Sequence, residues 1–158
     1  MTDILADVYS FVEELERKGR FAMSKDFIQH GSTSVYTHSI DVAVRSVSLM
    51  RSMRVRVNEE ALIRGALLHD YFLYDWHDPD PSHKWHGFYH PGTALRNARE
   101  DFIITDTEAD IIKRHMFPLT VIPPSSREGL LVCMADKLVA TGETAMVRQL
   151  AKMVRLSS

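Results

Sequence analysis

The stretch NEEALIRGALLHDY, residues 58–71, predicts a buried helix that ends in two polar residues. Asn58 is a favoured N-cap, and the two glutamates that follow it stabilise the first turn of a helix. The small residue Gly65 permits close packing against a neighbouring helix. The helix therefore delivers His69 and Asp70 side by side near its end, where a carboxylate directed toward a core needs a partner because unpaired burial is costly.

Four further residues of metal-binding type lie along the chain, namely His38, His90, His115 and Asp136. Imidazole nitrogen suits zinc, iron, nickel and copper, whereas carboxylate oxygen suits harder ions. A mixed set suits first-row divalent ions that carry a reactive water. If Asp70 bridges two such ions, they lie roughly 3.5–4 Å apart, as in two-metal phosphoesterases. The six residues together indicate a hydrolytic metal site.

The order of these residues resembles the HD superfamily of metal-dependent phosphohydrolases. Its minimal pattern is a His, a later His-Asp pair and a distant Asp, which His38, His69-Asp70 and Asp136 match. Two further histidines between the pair and the last Asp mark two-metal members such as bacterial diadenosine-tetraphosphate hydrolases, and His90 and His115 match them. The resemblance covers about residues 34–141, and its flanking words are YTHSIDVA, GALLHDY, HPGTAL and VCMADKL.

The resemblance implies an all-α fold, a compact HD-domain-like bundle of about six to eight helices. The chain of 158 residues, 45% of them apolar, is long enough for one domain with a substantial core, so we expect a single domain over residues 1–158. The implied cofactors are two divalent ions, each Fe, Mn, Zn, Ni or Co. The first would be held by His38, His69, Asp70 and Asp136, and the second by Asp70, His90 and His115.

The implied activity is hydrolysis of a phosphomonoester or phosphodiester, with a nucleotide or a related small phosphorylated molecule as substrate. Asp70 would bridge the ions, and Lys137 would hold a non-reacting phosphate oxygen. His86 would contact the substrate or protonate the leaving group. Further candidate phosphate-binding cations are Lys84, Arg96 and Arg114.

Several alternatives stay open at the level of single ligands. In WHGFYHP, His86 rivals His90 as a ligand, and the small Ala94 four residues later favours His90. If no metal binds, the alternative role of His38 is that of a hydrogen-bonded core histidine. The alternative role of His115 is that of a cation at a helix C-terminus. The other structural alternatives are a capping or loop histidine at position 90 and a salt bridge at Asp136.

The chain departs from the family pattern in two places. Many catalytic members carry a lysine three residues after the Asp of the pair, where this chain has Leu73. The HD-GYP members follow their fourth His with a second one and a GYP loop, where this chain has His115-Met116-Phe117-Pro118, so cyclic-di-nucleotide specificity is not implied. Two other functions therefore stay open: a mixed-valent di-iron oxygenase of the inositol-oxygenase type, and a non-catalytic nucleotide-binding HD protein.

Composition and charge limit the classes of partner and the cellular compartment that we expect for this protein. The net charge of −2 gives no general attraction for duplex nucleic acid. No stretch approaches the ~20 apolar residues of a membrane span. The single Cys133 cannot form an internal disulfide, which indicates a reducing cytoplasm. Superfamily members often dimerise, so a homodimer is an open alternative.

Hydrophobic spacing and capping residues predict the remaining elements. Pro79, Pro81 and Gly87 break the pattern between residues 75 and 89, which predicts a long loop of the kind that forms a lid or a pocket wall. No stretch alternates as a strand. Besides the helix that starts at Asn58, the predicted helices cover about residues 3–18, 24–29, 32 or 34 to 53, 91–101, 105 or 106 to 115, 125 or 126 to 140, and 143–155.

Overall fold

The computed structural model describes residues 3–77, 81, 85–140 and 144–157, and the fold over these residues is all-α, as predicted. They form seven α-helices, one 3-10 helix and a two-stranded hairpin. None of the described helices has both the length and the apolar character that a membrane crossing demands. The elements are α1 (Ile4–Lys18), a 3-10 helix (Phe21–Asp26), β1 (Ile28–His30), β2 (Thr33–Ser34), α2 (Val35–Met53), α3 (Glu59–Leu68), α4 (His86–Asp101), α5 (Asp106–Arg114), α6 (Arg127–Ala140) and α7 (Thr144–Ser157).

Side-chain caps explain why four helices begin close to where the sequence predicts. Asp3, Ser34 and Asn58 each accept a hydrogen bond from a backbone amide two or three residues later. At α5, Thr105 and Glu108 form a reciprocal capping box. These bonds satisfy amides that have no partner inside the helix, so the boundaries are set by local chemistry.

The core lies among α2, α3, α5 and α6, with α1 packed against α2 and α3, and α7 packed against α6. Val42, Leu62, Ile111 and Leu131, one from each central helix, are fully buried. Helices α3 and α5 pack closely at Gly65, where an added Cβ would overlap the side chain of Ile111. This contact brings the end of α3 beside α5, as the small residue in the sequence predicts.

The prediction of a helix over residues 24–29 and the absence of any strand are both wrong. The 3-10 helix ends at Asp26, and β1 then pairs antiparallel with β2, with Ile28 opposite Ser34. Gly31 has φ 55°, a left-handed conformation that glycine adopts readily and that tight hairpin turns require. The turn residue, rather than any alternation in such short strands, produces this hairpin.

The prediction that α4 starts at Pro91 is also wrong, because α4 begins at His86 and contains Pro91 in its interior. The part of the predicted loop from His86 to Tyr89 is therefore helical, while residues 78–80 and 82–84 lie outside the described residues. The His86 ring packs against the rings of Trp76 and Tyr74, contacts that local sequence rules do not include. As a result, His90 lies in the second turn of α4 and not at its end.

Candidate metal centre

The structure brings all six predicted ligands together in two groups that share Asp70. In each group, one potential ligand atom from every residue lies within 4.8 Å of the others. We call His38, His69, Asp70 and Asp136 the first ligand group, and Asp70, His90 and His115 the second ligand group.

The two groups depend on five separate parts of the fold. His38 lies in the first turn of α2, and His69 and Asp70 directly follow α3. The other three ligands come from α4, from the C-cap of α5 and from α6. All six are nearly or fully buried, with a relative exposure of 9% or less. The site therefore forms only when these helices pack on one another.

The carboxylate of Asp70 presents one oxygen to each ligand group. Its Oδ2 lies 3.2 Å from His69 Nε2 and 3.6 Å from His38 Nε2. Its Oδ1 lies 3.0 Å from His90 Nε2 and 3.3 Å from His115 Nε2. A carboxylate that bridges two ions needs this arrangement, with one oxygen for each ion.

Backbone carbonyls orient three of the imidazole rings. The Nδ1 atoms of His69, His90 and His115 lie 2.6, 2.9 and 2.8 Å from the carbonyl oxygens of Ala66, His86 and Ile112. Because a carbonyl only accepts, each Nδ1 carries a hydrogen, and in the neutral ring Nε2 then directs a lone pair into the site. Histidines that bind metals are commonly oriented in this way.

Unpaired atoms inside the site also fit a metal. His69 Nε2 and Asp70 Oδ1 are buried and form no hydrogen bond with the described residues. His90 Nε2 and His115 Nε2 lie 3.0 Å apart, although the neutral rings direct lone pairs at each other. A cation between these acceptors would satisfy them, so the residues present fit divalent ions.

The buried charges in the site depend on one another. Burial raises the pKa of Asp70, but the charge of His69 and the imidazoles of both groups, whose Nε2 atoms face its oxygens, hold that pKa well below its ordinary value. Burial likewise opposes the low pKa of Asp136, which a hydrogen bond with His38 and the nearby imidazole of His69 maintain. For His69, burial lowers the pKa, but the two carboxylates raise it well above its ordinary value. Without metal, a proton on His69 offsets only one of the two carboxylate charges, and a divalent ion would offset the negative charge of the site more fully.

His86 lies beside the second ligand group rather than in it. Its ring stacks on that of His90, with centroids 4.5 Å apart, and on that of Trp76, with centroids 4.8 Å apart. Tyr74 and His86 share a hydrogen bond of 2.7 Å between the hydroxyl and Nδ1. His86 is therefore in neither ligand group, and its contact with substrate stays a prediction.

Lys137 is half-buried beside the site and not on a solvated face. Its Nζ donates to the carbonyl oxygen of His115 at 3.0 Å and to Cys133 Sγ at 3.3 Å. Burial raises the pKa of the Cys133 thiol. Two other candidate cations, Arg96 and Arg114, line separate hollows of about 440 and 560 Å³ along α4 and α5. None of the six ligands lines these hollows. Lys84 lies outside the described residues.

The sequence reading missed two buried amides near the His-Asp pair. Gln29 in β1 donates from Nε2 to Asp70 Oδ2 at 2.8 Å. Asn97 in α4 donates from Nδ2 to the carbonyls of the two residues after Asp70, at 3.0 and 2.9 Å. For Asn97 a signal existed, because this polar residue follows the apolar Ala94 and Leu95 on the buried face of α4. Leu73, at the position of the usual lysine, is half-buried against the core with φ 57°.

Comparison with known protein families agrees with this geometry. The family model of the HD domain matches residues 35–141, a range that contains all six residues of the two ligand groups. A search of curated proteins and a search of solved structures each gave no match. Since the matched range covers well over half of the 158 residues, the chain belongs to the HD domain family.

Proposed function

We propose that the protein is a metal-dependent phosphohydrolase that cleaves a phosphomonoester or phosphodiester, with a nucleotide or related small molecule as substrate. The observation that carries this proposal is the Asp70 carboxylate, which faces a different ligand group with each oxygen. Membership of the HD domain family supports metal-dependent hydrolysis. We further propose that the ions are two of Fe, Mn, Zn, Ni or Co.

The bound ions would supply an acidified water and offset charge on the phosphoryl group. The chain's own residues then have three tasks. Asp70 and the carbonyl-bonded imidazoles keep the ligand atoms in place. Lys137, whose Nζ already lies at the His115 carbonyl, would hold a non-reacting phosphate oxygen. His86, supported by Tyr74 and Trp76, would contact the leaving group.

The test combines metal analysis of anaerobically purified protein with a panel of phosphatase and phosphodiesterase substrates. We expect about two divalent ions per chain and hydrolysis of at least one phosphoester. Asp70→Ala should lose both ions and activity while its circular dichroism spectrum is retained. Asp41→Ala, an exposed aspartate of α2, is the matched control. Unchanged metal content in Asp70→Ala would overturn the proposal.

A di-iron oxygenase is the second candidate, since two ligand groups sharing one carboxylate also suit a mixed-valent iron pair. Consumption of dioxygen that requires reduced iron, with no phosphoester hydrolysis, would favour it. Leu73, in place of the usual lysine, motivates a third candidate, a non-catalytic nucleotide-binding protein. Tight nucleotide binding without turnover across all five metals would favour that function. The cytoplasmic location and a homodimeric state remain predictions from the sequence.

A further inference from the structure

Gln29 lies against the proposed bridging carboxylate but belongs to neither ligand group. The residue is 9% exposed, and its Nε2 donates to Asp70 Oδ2 at 2.8 Å. An ionised carboxylate only accepts hydrogen bonds, so the amide nitrogen of Gln29 must face it. The oxygen that it contacts, Oδ2, is the one directed toward His38 and His69. Gln29 therefore acts on the first ligand group.

The other end of the same amide finds no hydrogen-bond partner in the part of the chain that the structure describes. Gln29 Oε1 is buried and accepts no hydrogen bond from the described residues. Buried acceptors are nearly always paired, because an unmade hydrogen bond destabilises the fold. Of the four other buried side-chain atoms that form no hydrogen bond with the described residues, two belong to the ligand groups themselves, His69 Nε2 and Asp70 Oδ1. A water molecule that enters the site with a metal ion would supply the missing donor to Gln29 Oε1.

The hairpin explains how Gln29 reaches this position. Gln29 lies at an irregularity in the pairing of β1 with β2, and it is buried whereas the preceding Ile28 is 38% exposed, so its side chain points inward. The backbone amide of Val35, the first residue of α2, donates to the carbonyl of Phe27 at 2.8 Å, which ties the hairpin to the helix that carries His38. The hairpin thus holds one amide at the metal site.

We propose that Gln29 is a positioning residue of the metal centre: its amide N–H fixes Asp70 Oδ2 for the first ion, and its Oε1 accepts a hydrogen bond from water held in the filled site. This inference rests on the proposed function. It assigns the hairpin a role in metal binding, which neither the six-residue pattern nor the sequence reading includes.

The test is a calorimetric titration of metal-free protein with Mn²⁺ or Zn²⁺. It is carried out on the wild type and on Gln29→Met. Methionine has a similar size but neither donates nor accepts as an amide does. Loss of an outer hydrogen bond to a ligand typically weakens metal binding about 10–100-fold. We expect one of the two binding steps to weaken by this factor and the other to change less than about threefold. Ile28→Ala, on the same strand, should bind both ions as the wild type does.

Thermal unfolding with and without metal separates positioning from a structural role. Gln29→Met removes the hydrogen bond from Nε2 to the buried Asp70 carboxylate, so its unfolding midpoint without metal should fall. A positioning residue should in addition reduce the rise in midpoint that added metal produces, whereas a rise equal to that of the wild type would make the amide a structural brace and would overturn the inference. Wild-type affinity for both ions in Gln29→Met would overturn it while leaving the proposed function intact. A wild-type protein that binds no divalent ion would instead refute the proposed function.

Discussion

Replacing Arg64 with methionine tests how the two helices that deliver Asp70 and His115 are held together. Arg64 lies in α3, and its side chain is 9% exposed. Its Nε donates to Glu108 Oε1 of α5 at 2.7 Å, and its Nη1 donates to Glu14 at 3.1 Å. The Glu108 side chain is only 2% exposed. The ion pair therefore joins α3 and α5 in a place that water hardly reaches.

Removing one partner of a buried ion pair costs about 3–5 kcal/mol, because the remaining charge is left without compensation. In Arg64→Met this charge is Glu108, whose other carboxylate oxygen still accepts from the Thr105 amide at 2.9 Å. The remaining bond places the expected loss at the lower end, about 3 kcal/mol. In a chain of this length that is a fall of roughly 6–12 °C in Tm.

The assay is urea unfolding of metal-free protein, followed by circular dichroism at neutral pH. Arg96→Met is the control, since Arg96 is exposed on α4 and should change the free energy of unfolding by less than about 0.5 kcal/mol. The double variant Arg64→Met/Glu108→Gln should be less destabilised than the sum of its single variants, because it removes the unpaired charge. A loss below about 1 kcal/mol in Arg64→Met would refute this account of the pair.

Three further predictions follow from single contacts. Tyr71 is buried and its hydroxyl donates to Asp101 Oδ2 at 2.6 Å, so Tyr71→Phe should lose about 1.5–3 kcal/mol in urea unfolding; an unchanged midpoint would contradict it. Burial opposes the lowered pKa of Asp110, which bonds from two serines maintain, so this stabilisation is complete above about pH 4 and lost as the pH falls further. Asp110→Asn should therefore flatten the fall in unfolding free energy between pH 5 and 2, and an unaltered slope would exclude this. His115→Ala removes a residue of the second ligand group only, so elemental analysis should find one ion per chain. A loss of both ions would mean that the two groups do not bind metal independently.

Helix boundaries could be predicted from the sequence where a local cap decides them. Asn58 and Thr105 form their hydrogen bonds within three residues, so their chemistry is visible in the sequence. The start of α4 could not be predicted in this way. It depends on His86 stacking against Trp76, ten residues earlier in the chain, and such a contact exists only in the folded protein.

In the candidate metal site too, some residues could be predicted from the sequence, whereas others depend on contacts that exist only in the folded protein. The six residues of the ligand groups could be predicted because metal binding restricts residue type and their order matches a known pattern. Gln29 could not, because a glutamine in a three-residue strand has no metal-binding signature, and its role depends on its contact with Asp70, 41 residues away. The place of Asn97 on a buried helix face could have indicated that its amide forms hydrogen bonds inside the protein. The carbonyl groups that accept these bonds could not be predicted from the sequence.

Because the ligand groups are assembled from five separate parts of the fold, metal binding at this site would be coupled to folding. An unfolded chain cannot hold His38, Asp70 and Asp136 together, since these residues are far apart in sequence, whereas in the folded chain they belong to one ligand group. An ion that binds only the folded state stabilises it by mass action, by about 2.7 kcal/mol at a hundredfold excess over Kd. The same packing that buries these charges at a cost therefore creates a site where a cation offsets that cost. If each ligand group holds an ion, the shared Asp70 would extend the coupling to both ions, because fixing its carboxylate for one group also orients the oxygen that faces the other.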